Sequence, residues 1–381
     1  MVYYVRQGII TESRHTYDDS KHILKEELFG EESFDGPYSL LYHEREPTRV
    51  ESIRRIEKPH LSDGSDDELR HRHIKGFQVK PHGDFISGRT CLMFNDDVEI
   101  GLIKPREQMS CFFRSAINEQ LFFVQKGEGE LKSSLGTLKF STGDYISIPK
   151  GTTYEMKYGN GSEFFYVESR ERMGIPARYL NIYGQIKEGS PYYSRDIRHP
   201  TLGKPNLEDG NYRVLVDFGE YYLEETRDQH PFDVAGWDGY LFPWAINVSL
   251  MAPIVGRLHQ PPPVHETFSS KSFMVGTFLP RKYDFHPRAI PISYYHSNID
   301  TDEVLFYSSG NFMSREGISE GSLTLHVRGL IHGPQPGAVQ GAIGKEGTDE
   351  VAVMVEAYRP LKLTKEAKAI EDPAYMSSWY A

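Results

Sequence analysis

"YYHSNIDTDEVLFYSSG" spans Tyr294–Gly310. A histidine and a cluster of acids lead into an aromatic and β-branched run that ends in glycine. This reads as a strand entered through a polar turn and closed by a tight one. Successive side chains of a strand point to opposite faces. Glu303 opens the apolar run. Turned inward, its carboxylate would sit in a dry interior, where a lone charge is costly and metal coordination relieves it. A second stretch, "GSLTLHVRGLIHGP" (Gly321–Pro334), sets His332 behind the glycine turn at Gly329. His296, Glu303 and His332 are therefore candidate metal ligands. Two imidazoles and one carboxylate on one face suit ferrous iron and leave the opposite coordination positions open. Asp300 and Asp302 read as the polar turn.

The same order of features occurs earlier in the chain. "EQLFFVQKGEGELKSSLGTLKF" (Glu119–Phe140) and "GDYISIPKGTTYE" (Gly143–Glu155) again give strand, glycine turn, strand and a glycine-centred turn. Two copies of one β-barrel unit are the simplest account. With 24 Tyr, 21 Phe, 34 Gly and 23 Pro, short aromatic runs punctuated by turn formers dominate, and the best helix signals are His22–Leu28 and Lys365–Ile370. The expected class is all-β: two jelly-roll barrels with few short helices, divided into residues 1–246 and 247–381. Counting back from Gly127 as from Gly310, the slots of the first copy hold Phe113, Ser115 and Gln120, and the histidine slot after Gly151 holds Tyr154. None is a histidine or a carboxylate. The N-terminal unit is expected to be a metal-free scaffold, leaving one site per chain.

A net charge of -11 over 381 residues argues against a broad basic face for nucleic acid or an anionic membrane. No apolar run is long enough to span a bilayer, and the first residues lack a basic segment followed by an apolar one. The expected location is the cytoplasm. The two cysteines, Cys91 and Cys111, are expected to be reduced core thiols. The charged stretch Arg54–Lys75, with His71 and His73 inside it, reads as a solvated excursion or a subunit contact.

His296, Asn298, Glu303 and Gly310, followed by Gly329 and His332, resemble the two metal motifs of the cupins. "HPFDVAGWDGYLFPWAIN" (His230–Asn247), "HQPPPVHETF" (His259–Phe268), "YYHSN" (Tyr294–Asn298) and "HGPQPGA" (His332–Ala338) sharpen this into a resemblance to the homogentisate 1,2-dioxygenase family. It runs through most of the chain and is densest from residue 230 onward. It implies a bicupin that uses Fe(II) and O2 to open the ring of homogentisate, giving maleylacetoacetate in tyrosine and phenylalanine catabolism. His296, Glu303 and His332 would be the iron ligands and His259 the acid/base, with His265 as its rival. Asn298, Tyr295 and His326 would meet the substrate, His326 having as its alternative a place behind the metal ligands, and His230 would be structural. The assembly implied is a homo-oligomer, trimeric or hexameric.

Two departures from the better-known branch of that family matter. The spacing from His296 to Glu303 is one residue longer, which makes Asp302 the alternative ligand. Phe312 stands where that branch has a tyrosine that touches substrate. An aryl acetate also brings a carboxylate, and Arg315 is the cation expected to grip it. Competing readings are an iron dioxygenase for another dihydroxyphenyl acid such as gentisate, and a non-catalytic bicupin binding protein.

Overall fold

The computed structural model describes residues 3–17, 20–66, 68–312 and 317–380. Three antiparallel-rich layers carry the architecture. The outer sheet has seven strands in the order Gly136–Ser141, Glu128–Ser133, Thr153–Tyr158, Phe112–Ser115, Asp209–Asp217, Tyr221–Gln229 and Ser52–Glu57. The middle sheet also has seven: Trp244–Asn247, Asp144–Ile148, Glu119–Lys126, Glu163–Ser169, Val98–Ile103, Arg89–Phe94 and Lys362–Leu363. The third has six: Glu266–Ser269, Phe273–Phe278, Val351–Ala357, Asp302–Ser309, Leu323–His326 and Arg72–Ile74. A four-stranded sheet built on Tyr38–His43 and Val234–Gly239 flanks the N-terminal unit. The chain is all-β as expected, with two short α-helices among the described residues. Its sheets stay open rather than closing into hydrogen-bonded barrels.

Alternation explains the layering. Along Glu119–Lys126, Phe122 and Val124 enter a core shared with the outer sheet, while Leu121 and Phe123 enter a second core shared with the six-stranded sheet. A strand buried on both faces is continuously apolar, which is why "LFFV" shows no polar alternation. From the opposite side Val304, Phe306, Val353 and Val355 fill that second core. Phe306 stacks on Phe165 with ring centroids 4.8 Å apart and planes at 11°. Tyr145 Oη and Thr277 Oγ1 lie 2.8 Å apart across the same interface.

Two expectations change. Residues Lys25–Gly30 form a strand paired with Tyr38–His43, not a helix. Sheet pairing overrides the helix propensity of "KEEL", and Glu27 accepts at 2.8 Å from His43 Nε2. The stretch Arg54–Lys75 is not one solvated excursion. Its end, Arg72–Ile74, is a buried edge strand of the six-stranded sheet, and His71 and His73 are both 3% exposed. Among the described residues no helix is long and apolar enough to cross a membrane.

In the first unit Gln120 and Tyr154 do converge: Tyr154 Oη donates to Gln120 Oε1 at 3.0 Å. Arg89 joins them, with Nη2 3.3 Å from Tyr154 Oη, and its guanidinium pairs with Glu168, which also accepts from Gln120. Phe113 and Phe122 flank the cation at 5.2 and 5.6 Å. The chain thus supplies its own cation to this interior. Arg89→Leu should cost about 3–5 kcal/mol in denaturant unfolding, because it strands the Glu168 carboxylate. Arg89→Leu/Glu168→Leu should recover most of that loss.

Candidate metal centre

The register of one strand places the carboxylate. Val304 and Phe306 are committed to the core behind the six-stranded sheet. Glu303, Leu305 and Tyr307 must therefore face the other way, where all three line a cavity of about 110 Å³. Asp302 has the opposite parity. Its Oδ1 accepts from Arg328 N and Nε at 3.0 and 2.9 Å, and its Oδ2 accepts from Leu361 N at 2.8 Å.

The two histidines are delivered by a single antiparallel bridge. His296 N donates to His332 O, and His332 N to His296 O, both at 2.9 Å. Their rings lie 4.3 Å apart. His296 Nε2 is 3.9 Å from Glu303 Oε2, and His332 Nε2 is 3.6 Å from Glu303 Oε1. One ligand atom from each of the three residues falls within 4.8 Å of the others. Each ring turns Nδ1 to a backbone carbonyl: His296 to Tyr294 O at 3.2 Å, His332 to Leu330 O at 3.3 Å. A carbonyl only accepts, so that contact puts a proton on Nδ1 and leaves Nε2 as the nitrogen that a metal would take up. His332 Nε2 is buried with no hydrogen-bond partner. An orphaned acceptor beside a buried carboxylate is a pair of donor groups that a divalent cation satisfies, so the donor set fits such a metal. Burial alone would raise the Glu303 carboxyl. His296, His326 and His332 hold it well below the ordinary range instead.

Behind the trio, His326 Nδ1 lies 2.6 Å from Glu303 Oε1, and the ring is fully enclosed, away from the cavity. Glu356 stands directly across the sheet from Glu303. Its carboxyl is pushed up by burial and by the Glu303 charge, and it accepts from Thr301 Oγ1 at 3.1 Å.

The cavity wall carries His259 and His265 together with Phe312, Arg281 and Lys282. His259 Nδ1 is 3.9 Å from Asp284 Oδ2, and the ring meets Tyr294 edge-on at 5.2 Å. Its pKa is lowered by burial first, then by the Arg281 and His296 charges. His265 is more deeply buried and is pushed down to about 3 by burial, Arg281 and His259. Phe312 packs edge-on against Tyr307 at 4.7 Å. Asn298 and Tyr295 do not line the cavity. Asn298 sits in the turn, its backbone oxygen accepting from Gly329 N at 2.7 Å, and Tyr295 lies outside against Gly333. His230 is held among Phe112, Tyr212 and Phe232 in the N-terminal unit. Arg315 lies outside the described residues. Sequence reasoning passed over Arg281 and Lys282. The basic pair in "PRKYDF" was their only signal.

A protein of Saccharolobus solfataricus named "Putative dioxygenase SSO1533" is 43% identical over 385 residues, covering 100% of each chain. The family model "Homogentisate 1,2-dioxygenase N-terminal" matches residues 77–248. The chain belongs to the homogentisate dioxygenase family. The homogentisate 1,2-dioxygenase of Bradyrhizobium diazoefficiens is 24% identical over 274 residues, 67% of this chain and 59% of its own length. The match thus spans under two thirds of that relative. Among solved structures, a cupin 2 conserved barrel domain protein from Leptotrichia buccalis aligns with a TM-score of 0.35 at 9% identity, over 79% of this chain and 100% of its own.

For this family member the ligand assignment is directly measurable. Apo protein titrated with Co(II) should bind one equivalent per chain. His296→Ala, Glu303→Ala and His332→Ala should each abolish binding, whereas Asp302→Asn should retain it.

Proposed function

We propose that the protein is a non-haem Fe(II) ring-cleaving dioxygenase that converts homogentisate and O2 to maleylacetoacetate. The observation that carries this reading is the buried, unpartnered His332 Nε2, grouped with His296 and Glu303 on the wall of a largely apolar cavity. Iron held there supplies a redox-active centre with coordination positions left open for substrate and O2. The rest falls to the chain. Ile292, Leu305, Phe278 and Phe312 exclude water from around the ring. His259, kept neutral by burial, takes the proton of a phenolic hydroxyl at its free imidazole nitrogen and returns it later, while Asp284 steadies the ring from Nδ1. His265, pushed down to about 3, binds a proton too weakly for that exchange and serves as a hydrogen-bonding wall. The arm carboxylate is met by Lys282 and by Arg281, which also pairs with Glu350 at 3.2 Å. Arg315 is a further candidate for that charge. The protein works as a homo-oligomer, a trimer or a hexamer.

A second reading keeps the iron chemistry and changes the acid to gentisate or another dihydroxyphenyl acid. It is favoured by Phe312, which cannot donate a hydrogen bond to substrate. A non-catalytic binding protein accounts for neither the face left open toward the cavity nor two histidines on the wall beside it.

Anaerobic Fe(II) reconstitution followed by O2 uptake decides among them. Homogentisate should consume one O2 per ring and give a product heavier by both oxygen atoms, with gentisate and hydroquinone turned over poorly. Preference for gentisate would move the protein to the second reading, and no uptake with any diphenol would end both. His259→Ala should keep its iron and lose about 10²- to 10⁴-fold in turnover, with His265→Ala affected less. Lys282→Ala should raise KM for homogentisate and leave that for hydroquinone unchanged.

A further inference from the structure

We infer that Tyr375, near the C-terminal end, is a positioning residue for the metal centre, acting through His326 on Glu303. This rests on the reading that His296, Glu303 and His332 hold the metal. Glu303 is reached by three imidazoles, but they differ in kind. His296 and His332 point Nε2 at the carboxylate from 3.9 and 3.6 Å, as co-ligands would. His326 makes a true hydrogen bond, 2.6 Å from Nδ1 to Oε1. The pair is enclosed: the His326 side chain is 0% exposed and that of Glu303 6%. A carboxylate has no proton to give, so His326 Nδ1 must carry one. In the neutral ring the opposite nitrogen, Nε2, is then an acceptor, and it lies 3.1 Å from Tyr375 Oη. The phenol O–H is the donor that sets this tautomer and fixes the ring's rotation.

The chain invests in holding Tyr375 there. It opens the 3-10 turn Tyr375–Trp379 and is 5% exposed. The segment before it is docked on the edge strand Arg72–Ile74. Asp372 N donates to His73 O at 2.8 Å, Lys75 N to Ile370 O at 2.9 Å, and Arg72 Nη1 lies 2.8 Å from Glu371 Oε1. The same edge supplies His71, whose ring packs edge-on against His326 at 5.3 Å and His332 at 5.4 Å. His71 Nδ1 accepts from Val327 N at 3.3 Å, and Nε2 lies 3.2 Å from Ile331 O, the carbonyl before His332. The ligand carboxylate and the second ligand histidine are thus backed by two segments from opposite ends of the sequence. Outer partners of this kind typically change metal affinity or activity by about 10- to 100-fold when removed.

Tyr375→Phe removes one oxygen and keeps the ring, so it separates positioning from packing. Full-length apo protein should bind Co(II) about 10-fold more weakly or worse, with a shifted visible ligand-field spectrum. Its melting temperature without metal should stay close to wild type. His326→Phe should weaken Co(II) binding at least as much. Because Tyr375 acts through His326, Tyr375→Phe/His326→Phe should be no weaker than His326→Phe alone. Affinity within twofold of wild type and an unchanged spectrum in Tyr375→Phe would overturn the inference, as would additive losses in the double variant. Should Tyr375→Phe fail to accumulate, Tyr375→Met gives the same hydroxyl-free comparison. Wild-type protein that takes up no Co(II), or that keeps it in His332→Ala, would instead remove the metal site itself, and this inference with it.

Discussion

Everything at the centre depends on one constraint: the strand Asp302–Ser309 is apolar on the face that packs against the middle sheet. Val304 and Phe306 are 0% and 1% exposed. A slip of one residue would turn both out of that core and drive Glu303, Leu305 and Tyr307 into it in their place. Losing a buried aromatic and a branched aliphatic side chain costs several kcal/mol. Period-two geometry converts that packing preference into a chemical one, because fixing Phe306 against Phe165 fixes Glu303 on the cavity side. The carboxylate is therefore placed by hydrophobic burial on the opposite face of its own strand. The imidazoles come to it through a backbone bridge that needs only the loop after Gly329 to return beside His296.

The two units treat the same interior differently. In the first, a guanidinium and a carboxylate satisfy each other through Arg89 and Glu168, and Gln120 and Tyr154 complete the network. In the second, among the described residues, Glu303 is paired with no Lys or Arg, and the buried His332 Nε2 is left without a hydrogen-bond partner. A buried charge must be answered from somewhere. Where the chain answers it internally, no metal is called for. Where it does not, the donor set fits a divalent metal. The middle sheet, buried on both faces, packs Leu121, Phe123 and Phe165 against the strand that carries Glu303.

Legibility in the sequence followed locality. The trio could be read because its determinants are short-range: alternation from Glu303 to Tyr307, a turn glycine at Gly310, and another at Gly329 before His332. The all-β class was legible for the same reason. His71 was not, because its meaning comes from Leu323–His326, some 250 residues away, which pairs with the adjoining strand Arg72–Ile74. A histidine between arginines looks solvated until the arginines find Asp66 and Glu371. Lys25–Gly30 was misread since helix propensity is local and sheet pairing is not. Asp302 and Glu303 were separable only by parity, which the irregular turn at Ile299–Thr301 hid from any count starting at His296.

On the proposed function, electrostatics explains how an acidic chain would favour an anionic substrate. Two neutral imidazoles and one carboxylate would leave a divalent ion with net positive charge, provided that no second carboxylate ionises beside it. Glu356 is the group that could spoil it, since it faces Glu303 across the sheet. Burial and the Glu303 charge push it toward the protonated form, and Thr301 anchors one of its oxygens. The same wall continues into Arg281 and Lys282. With a divalent ion bound, that ion together with Arg281 and Lys282 would outweigh Glu303, Asp284 and Glu350 on the cavity wall, giving a locally positive site inside a protein whose net charge is -11.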